Sequence, residues 1–377
     1  MNPVKRLENL GQSVWFDYIK SSLIKSGELK RLIEEDGVCG VTSNPAIFEK
    51  AIAGGSDYDE AIRKISARAK LSAIDIYEEL AVRDIQNAAD VLRPVYEKTR
   101  KRDGYVSLEV SPHLAMDEKG TINEALRLWK MVGRENVMIK VPATEEGIHA
   151  IERLIGEGIN INVTLLFSIE KYEKVAWAYV AGLERLVEKG GDAGSVASVA
   201  SFFVSRIDSL VDALLAERLK AAKGDEERIL LQGLFGKSAI ANAKLAYQLY
   251  KSILQSPRWQ ALAAKGAQTQ RLLWASTGTK NPKYSDVMYV EELAGPDTVN
   301  TVPPATLDAY RDHGQPRANL EEGVPAAQNV MRDLDRVGVS MKEATDKILE
   351  DGLRLFVEPF DKLLKAVDEK RHLAERV

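Results

Sequence analysis

The sequence predicts an α/β protein built on a closed (β/α)8 barrel of the TIM type, with additional helices and a helical C-terminal tail. From Gly37 onward, short β-branched runs alternate with helical patterns, which is typical of βα units around a parallel sheet. No GxGxxG turn follows any candidate strand, and this favours a closed barrel over an open, doubly wound sheet.

Short runs rich in apolar and β-branched residues mark eight candidate strands. In chain order they are VWFDYI (14–19), VCGVTS (38–43), YVSLEV (105–110), NVMIKV (136–141), NINVTLLF (160–167), SVASVASFF (195–203), RLLWAS (271–276) and VMYVEEL (287–293). Between them, apolar residues recur at helical spacing, and Ser168 is a suitable N-cap for the helix that carries Tyr172, Val175 and Tyr179. Each such helix is expected to cover one outer face of the sheet.

Three long segments must be added to this barrel. Residues 57–103 and 206–266 each carry at least two helical patterns, and residues 320–377 form the predicted tail. Residues 294–325 contain five prolines and are interpreted as an ordered loop or linker, not a helix. The length of 377 residues allows one large domain or two, and the barrel pattern favours a single domain over 1–377 with 320–377 packed on it.

Composition excludes several classes of function. Lys plus Arg total 52 against 56 for Asp plus Glu, and no long basic tract occurs, so neither a nucleic-acid binder nor a polybasic membrane binder is expected. Cys39 is the only cysteine, which rules out an intrachain disulfide and a zinc site built on paired cysteines. With no apolar signal core at the N-terminus, these features predict a cytoplasmic protein.

Polar residues interrupt four of the predicted strands at alternate positions. A parallel barrel buries both strand faces, so such interruptions point to the inner face, and barrel enzymes place their active sites where strands end. The interrupting residues that we expect to converge on one pocket are Glu109, Lys140, Asn162, Thr164 and Ser201. The alternative is that each is a satisfied polar residue of the core.

Lys140 lies in the apolar stretch VMIKVPAT and has three interpretations. Burial favours the neutral form of an amine, and a neutral amine in a dry pocket attacks carbonyl groups to form Schiff bases. An ion pair with Glu109 could instead join two strands, and a phosphate-binding lysine is the third possibility.

Long motifs resemble the transaldolases, specifically their longer bacterial form. The motifs are GVTSNPAIFEKA (40–51), VMIKVPATEEGI (137–148), GININVTLLFS (158–168), ASFFVSRID (200–208) and WASTGTKNPKYSDVMYVEELAGPDTVNTVP (274–303). The resemblance implies a class I aldolase of the non-oxidative pentose phosphate pathway, which moves a dihydroxyacetone unit between sugar phosphates. It implies sedoheptulose 7-phosphate or fructose 6-phosphate as donor, glyceraldehyde 3-phosphate or erythrose 4-phosphate as acceptor, and no metal or organic cofactor. A monomer or a homodimer is compatible with it.

The same resemblance implies a role for each site residue. Lys140 matches the Schiff-base lysine, Asp17 the acid/base aspartate, and Glu109 with Thr164 the pair that orients a water. Further matches bind the substrate: Asn44, Asn162, Ser201, Phe203 and the phosphate-binding Arg206, with Ser276 and Lys280 as candidates at a different spacing. A solvated loop position is the alternative for Lys280.

Two rival functions remain at this point. An aldolase that releases free dihydroxyacetone has the same fold and the same Schiff-base chemistry. A catalytically silent sugar-phosphate binding protein is expected to have lost Lys140 or Asp17, and both residues are present.

Overall fold

Eight parallel strands close into a barrel in chain order, with β1 paired to both β2 and β8. This architecture comes from a computed structural model, which describes residues 2–68 and 71–374. The strands are β1 (Gln12–Phe16), β2 (Val38–Val41), β3 (Tyr105–Glu109), β4 (Val137–Pro142), β5 (Ile161–Leu166), β6 (Ser198–Phe203), β7 (Arg271–Ala275) and β8 (Thr298–Val302). The predicted barrel is confirmed.

Helices surround the barrel and carry most of the remaining chain. They are α1 (Pro3–Arg6), α2 (Ser21–Lys25), α3 (Glu28–Asp36), α4 (Pro45–Ala53), α5 (Asp59–Ser66), α6 (Ala73–Lys98), α7 (Glu118–Val132), α8 (Glu145–Ile155), α9 (Ile169–Glu188), α10 (Ser205–Ala221), α11 (Asp225–Leu234), α12 (Ser238–Leu254), α13 (Pro257–Ala263), α14 (Met288–Glu292), α15 (Pro304–His313), α16 (Val324–Arg336) and α17 (Met341–Ala374). Helices therefore fill both predicted additions, 57–103 and 206–266, and Ser168 caps α9 as expected. In the described part of the chain, no helix is both long and apolar enough to cross a bilayer.

The register of the strands sets the polar inner residues side by side. Glu109 on β3 pairs with Lys140 on β4, and Lys140 pairs in turn with Asn162 on β5. Thr164 lies opposite Pro142, two residue pairs further along. Glu109, Lys140 and Thr164 lie toward the carboxyl ends of their strands, and the register brings Asn162 beside Lys140, so the polar residues meet in one part of the barrel interior.

The prediction of the eighth strand over 287–293 was wrong. That segment contains α14, while β8 follows at Thr298–Val302. Val287, Val290 and Leu293 are all buried and lie three residues apart, which is helical rather than strand spacing. The real strand was missed because three of its five residues are Thr or Asn.

The interpretation of 294–325 as a loop or linker was also wrong, since it contains both β8 and α15. Pro304 occupies the first turn of α15, where the missing N–H has no intrahelical partner to lose. The prolines therefore mark the start of a helix here and do not exclude one.

Helix α17 lies in the predicted tail and packs on the barrel. It packs against α4, α5, α6 and α10 and touches β5. The approach to β5 is close at Gly352, where a Cβ atom would lie 3.2 Å from Leu165 Cδ2 and 3.5 Å from Arg206 Nη1. An alanine at this position would require the end of the Leu165 side chain to move by a few tenths of an ångström.

Candidate active site

Lys140 is buried inside the barrel with only 5% of its surface exposed. Its Nζ donates a hydrogen bond to the carbonyl oxygen of Ser43 at 3.2 Å. The nearest carboxylate oxygen, Glu109 Oε2, lies 3.6 Å away, beyond ordinary hydrogen-bond length. The ring of Phe356 lies 5.9 Å from the same nitrogen. The amine is therefore close to a carboxylate but not locked to it.

Glu109 ends β3 beside Lys140, and its side chain is 7% exposed. Its Oε2 is buried and accepts no hydrogen bond from the described residues. Burial raises the pKa of Glu109 to about 7, with the Asp17 charge acting in the same direction and Lys140 opposing both. A carboxyl with this pKa can both give and take a proton near neutral pH.

Asp17 follows directly after β1 and faces the same space. Its Oδ1 accepts a hydrogen bond from Thr42 Oγ1 at 2.7 Å, and its backbone N–H donates to the carbonyl of Val302 at 2.9 Å. Burial raises the pKa of Asp17, against the opposing effects of Lys140, the Thr42 hydrogen bond and Lys280. These bonds hold the carboxyl at the mouth of the barrel.

Asn162 and Ser201 form a continuous hydrogen-bonded line across the barrel interior. Ser201 Oγ donates to Asn162 Oδ1 at 2.7 Å, and Asn162 Nδ2 donates to Ser107 Oγ at 2.9 Å. Thr164 lies further along β5, and its Oγ1 is buried without a hydrogen-bond partner among the described residues. An unsatisfied buried hydroxyl costs free energy, so a bound ligand or water is expected to satisfy it.

Asn44 connects the site to α4. Its side-chain oxygen caps that helix by accepting from the backbone N–H of Ile47 at 3.0 Å, and Pro45 follows in the first turn. Capping fixes the side chain, so its amide donors have one defined direction next to the site.

Arg206 lies in the first turn of α10, directly after β6. Its guanidinium carbon is 5.4 Å from the ring centre of Phe203, a cation–π contact. Its Nη1 is buried and has no hydrogen-bond partner in residues 2–68 and 71–374. Burial lowers the pKa of Arg206, although a guanidinium stays charged in proteins.

Ser276 and Lys280 follow β7, next to the start of α10. Ser276 has a positive φ of 57°, and its Oγ lies 2.9 Å from Ser205 Oγ. Lys280 is exposed and reaches the rim of the same space. Both residues predicted after the seventh strand are therefore at the site.

These side chains line a cavity of about 200 Å³, which we call the front cavity. Of the predicted residues it is lined by Asp17, Asn44, Lys140, Ser201, Phe203, Arg206, Ser276 and Lys280. Glu109, Asn162 and Thr164 do not line it and lie behind its wall. No group of three or more His, Cys, Asp or Glu among the described residues is arranged to hold a metal ion.

Comparison with known proteins identifies the family of this chain. The family model described as "Transaldolase/Fructose-6-phosphate aldolase" matches residues 14–367. The chain belongs to this family. A protein named "Transaldolase" from Trichodesmium erythraeum is 51% identical over 371 residues, which cover 98% of this chain and 97% of the relative.

Other relatives of similar length carry the same name. "Transaldolase 2" from Nostoc sp. (strain PCC 7120) is 50% identical, with 100% of both chains covered, and "Transaldolase" from Saccharopolyspora erythraea is 46% identical, with 97% of each covered. The predicted resemblance to transaldolases and the predicted enzyme class are confirmed by these matches.

The lining of this cavity also includes residues that the sequence analysis did not name as site residues, among them Thr42, Thr301, Leu355 and Phe356. Thr301 on β8 lies with its Oγ1 2.5 Å from that of Thr42, so the two threonines form a pair beside Asp17. Leu355 and Phe356 reach the cavity from α17. Thr42 was visible in a quoted motif, whereas Thr301 lay in the supposed loop and the tail residues gave no local signal.

Proposed function

We propose that this chain transfers a dihydroxyacetone unit from sedoheptulose 7-phosphate to glyceraldehyde 3-phosphate, giving erythrose 4-phosphate and fructose 6-phosphate. The reaction is a ping-pong transfer in the non-oxidative pentose phosphate pathway. The observation that carries the proposal is the buried amine of Lys140, which faces the front cavity and lies 3.6 Å from the nearest carboxylate oxygen. An amine that is not hydrogen-bonded to a carboxylate is available to a substrate carbonyl.

Schiff-base formation is the first task of the site. The Lys140 amine adds to the donor's C2 carbonyl and gives a carbinolamine. Glu109 then donates a proton to the carbinolamine hydroxyl, the C–O bond breaks with its electron pair leaving on water, and the nitrogen lone pair forms the C=N bond. The pKa of about 7 for Glu109 suits both this step and its reversal during hydrolysis. The unsatisfied Thr164 hydroxyl is suited to hold that water.

Cleavage of the C3–C4 bond is the second task. Asp17 takes the proton of the C4 hydroxyl, the C3–C4 electron pair moves toward the iminium nitrogen, and an aldehyde leaves while an enamine stays on Lys140. Burial raises the pKa of Asp17, which makes its carboxylate a stronger base. The acceptor aldehyde then reacts with the enamine by the reverse steps.

Substrate binding falls to the remaining residues of the cavity. Arg206 Nη1 is buried without a hydrogen-bond partner among the described residues, so its guanidinium can hold a phosphate with two parallel hydrogen bonds, and Lys280 is a second cation that lines the same cavity. Asn44 offers its amide to substrate hydroxyls, while the Ser201–Asn162 line supports the wall near Lys140.

A second candidate is an aldolase that releases free dihydroxyacetone, because the family model that matches the chain covers both activities. The two functions differ in the fate of the enamine. Product analysis with fructose 6-phosphate separates them: a transferase forms sedoheptulose 7-phosphate only when erythrose 4-phosphate is present, whereas the aldolase releases dihydroxyacetone without it.

The decisive experiment is borohydride reduction of the protein in the presence of fructose 6-phosphate, followed by peptide mass mapping. A three-carbon adduct on Lys140 is expected. Lys140→Ala is the matched control and should give no adduct with an unchanged circular dichroism spectrum. Absence of the adduct in the wild-type protein, or its presence on another lysine, would refute the proposal.

We also propose a cytoplasmic location and a single domain over 1–377, in a monomer or a homodimer. The supporting features are the lone Cys39 and the docking of α17 on the barrel. Sedimentation equilibrium distinguishes the two oligomeric states, and limited proteolysis tests whether residues 320–377 detach as a separate unit.

A further inference from the structure

A second cavity adjoins the front cavity at Lys280, and we call it the side cavity. It occupies about 230 Å³ between α10 and the loop of residues 276–287, which joins β7 to α14. Lys280 lines both cavities, so it stands at their junction. The other walls of the side cavity carry two carboxylates from α10 and two tyrosine hydroxyls.

The two aspartates of α10 each accept a hydrogen bond from a tyrosine of the segment that follows β7. Tyr284 Oη donates to Asp212 Oδ2 at 2.6 Å, and Tyr289 Oη donates to Asp208 Oδ2 at 2.8 Å. Hydrogen bonds to an ionised acceptor are about twice as strong as bonds between neutral groups. Because Asp208 and Asp212 are separated by about one helical turn, the two bonds fasten this segment to successive turns of α10.

Backbone groups hold the same two carboxylates from another direction. The N–H of Gly236 donates to Asp212 Oδ1 at 3.0 Å, and the N–H of Ala239 donates to Asp208 Oδ1 at 2.8 Å. Gly236 has a φ of 67°, and a Cβ atom there would lie 2.8 Å from Cζ of Tyr284. The Tyr284 ring therefore packs directly on this backbone, and its hydroxyl meets a carboxylate that is already fixed.

These bonds connect the two cations of the front cavity. Arg206 lies in the first turn of α10, and Lys280 lies in the loop of residues 276–287. At the start of the loop, the N–H of Ser205 donates to the carbonyl of Ser276 at 3.2 Å, and the two hydroxyl oxygens lie 2.9 Å apart. Near its end, Tyr284 binds α10 again. Since Lys280 lies between these two attachments, its backbone is held relative to the helix that carries Arg206.

We propose that Tyr284 is a positioning residue for sugar-phosphate binding. Through Asp212 it holds the loop of residues 276–287 on α10, so that Lys280 and Arg206 face the same phosphate. This inference rests on the proposed function, in which the two cations hold the phosphate of the substrate. Groups that are fixed in advance lose less freedom when a ligand binds, so the affinity for phosphorylated substrates depends on a hydrogen bond that does not touch them.

Tyr284→Phe tests this inference because it removes only the hydroxyl group. The measurement is the concentration of fructose 6-phosphate, and separately of dihydroxyacetone, that gives half-maximal inactivation by borohydride. Both compounds form an imine with Lys140 in the proposed function, but dihydroxyacetone has no phosphate. The value for fructose 6-phosphate should rise about fivefold, and the value for dihydroxyacetone should stay within about twofold. The limiting rate of inactivation should be unchanged, because Tyr284 does not line the front cavity.

A double-mutant cycle shows whether Tyr284 acts through Lys280. Lys280→Met should by itself raise the half-maximal concentration of fructose 6-phosphate. In the Lys280→Met background, Tyr284→Phe should add less than about twofold, because the residue that it positions is already gone. The same fivefold rise in both backgrounds would overturn the inference.

Tyr179→Phe is the matched control. The Tyr179 hydroxyl donates to the carbonyl of Gln268 at 2.7 Å, and the residue lines neither cavity, so both half-maximal concentrations should match those of the wild type. If Tyr284→Phe does not fold, Asp212→Asn weakens the same bond and should give the same selective rise.

Two outcomes distinguish this inference from the proposed function. Equal rises for the two compounds in Tyr284→Phe, or an unchanged value for fructose 6-phosphate, would overturn the positioning role while leaving the proposed function intact. A wild-type protein that forms no adduct on Lys140 with either compound would refute the proposed function, and the inference would fail with it.

Discussion

The barrel contains two buried pairs of a cation and a carboxylate, one at each end, and they differ in how completely they are hydrogen-bonded. At the amino-terminal end of the strands, Arg271 Nη2 lies 2.9 Å from Asp103, which also accepts from Ser13 at 2.8 Å and from Trp15 at 3.0 Å. At the carboxyl end, Lys140 and Glu109 lie 3.6 Å apart and Glu109 Oε2 has no donor among the described residues.

The pKa values of the two carboxyls follow from this difference. Burial raises the pKa of both, but for Asp103 the charge and hydrogen bonds of Arg271 and the donors on Trp15 and Ser13 outweigh burial, so its pKa is lowered. For Glu109 burial wins and the pKa rises to about 7. A fully satisfied pair stabilises the fold, whereas an incompletely satisfied pair keeps groups free for chemistry.

The largest expected effect comes from Lys140→Met, which breaks the Lys140–Glu109 pair. Transfer activity should fall by more than about a thousandfold because the nucleophile is gone. The free energy of unfolding at pH 7 should stay within about 1 kcal/mol of wild type, since Glu109 can take up a proton and Met fills a similar volume. A coupled transfer assay and urea denaturation measure the two quantities.

Arg271→Met, which breaks the Arg271–Asp103 pair, should give the opposite pattern: lower stability with activity retained. It leaves Asp103 as an unpaired buried charge and should lower the free energy of unfolding by about 3–5 kcal/mol. Activity per folded molecule should persist, because the pair lies at the far end of the barrel. Urea denaturation again provides the measurement. Arg271→Lys keeps the charge and should lower the free energy of unfolding by less. A decrease below about 1 kcal/mol in Arg271→Met would show that the Arg271–Asp103 pair does not stabilise the fold.

The sequence was sufficient to predict the positions of Lys140 and Glu109, but not the Arg271–Asp103 pair. Alternation along β3 to β6 placed Glu109 and Lys140 on the inner face, because strand side chains alternate strictly. Their distance could not be predicted, and the observed 3.6 Å lies within ion-pair range but beyond ordinary hydrogen-bond length. The Arg271–Asp103 pair gave no signal, because its partners lie 168 residues apart.

Tertiary packing also brings to the front cavity the residues that the sequence analysis missed there. Periodicity in the tail predicts an apolar face, but it cannot say which surface that face covers, so Leu355 and Phe356 were not expected there. Thr301 was missed because three of the five residues of β8 are Thr or Asn and the strand lies between prolines. Both errors arise where long-range packing overrides the local pattern.

The two pairs should also respond to pH with opposite sign. The folded-state pKa of Glu109 is raised to about 7, so between about pH 4.5 and 7 the folded protein binds more protons than the unfolded chain, and stability falls as pH rises. The slope from one group is at most about 1.4 kcal/mol per pH unit. The folded-state pKa of Asp103 is lowered, so its contribution is complete above its unfolded value and is lost as pH falls through its folded value.

Urea denaturation at pH 5 and at pH 7 tests this difference with Glu109→Gln, which cannot titrate. The decrease in the free energy of unfolding from pH 5 to pH 7 should be smaller in Glu109→Gln than in wild type. Asp103→Asn should lower stability at both pH values by a similar amount. An unchanged pH dependence in Glu109→Gln would show that Glu109 has an ordinary pKa.

The smallest expected effect concerns Arg206, a buried cation at the reactive end that has no partner for its Nη1 within the described residues. If the missing partner is a substrate phosphate, inorganic phosphate should stabilise the protein by mass action. At ten times its dissociation constant the gain is about 1.4 kcal/mol in the free energy of unfolding. Arg206→Gln should lose this gain without losing stability in chloride, because it removes a buried charge that has no hydrogen-bond partner at Nη1.

Arg258→Gln is the matched control, since Arg258 lies on the surface and is already paired with Glu184 at 2.6 Å. Thermal denaturation in phosphate and in chloride at equal ionic strength separates specific binding from screening. Phosphate should raise the melting temperature of wild type and Arg258→Gln alike and leave Arg206→Gln unchanged. An equal rise in all three would mean that phosphate binds elsewhere, and Arg206 would then resemble Arg271 in serving the fold, through its contact with the Phe203 ring.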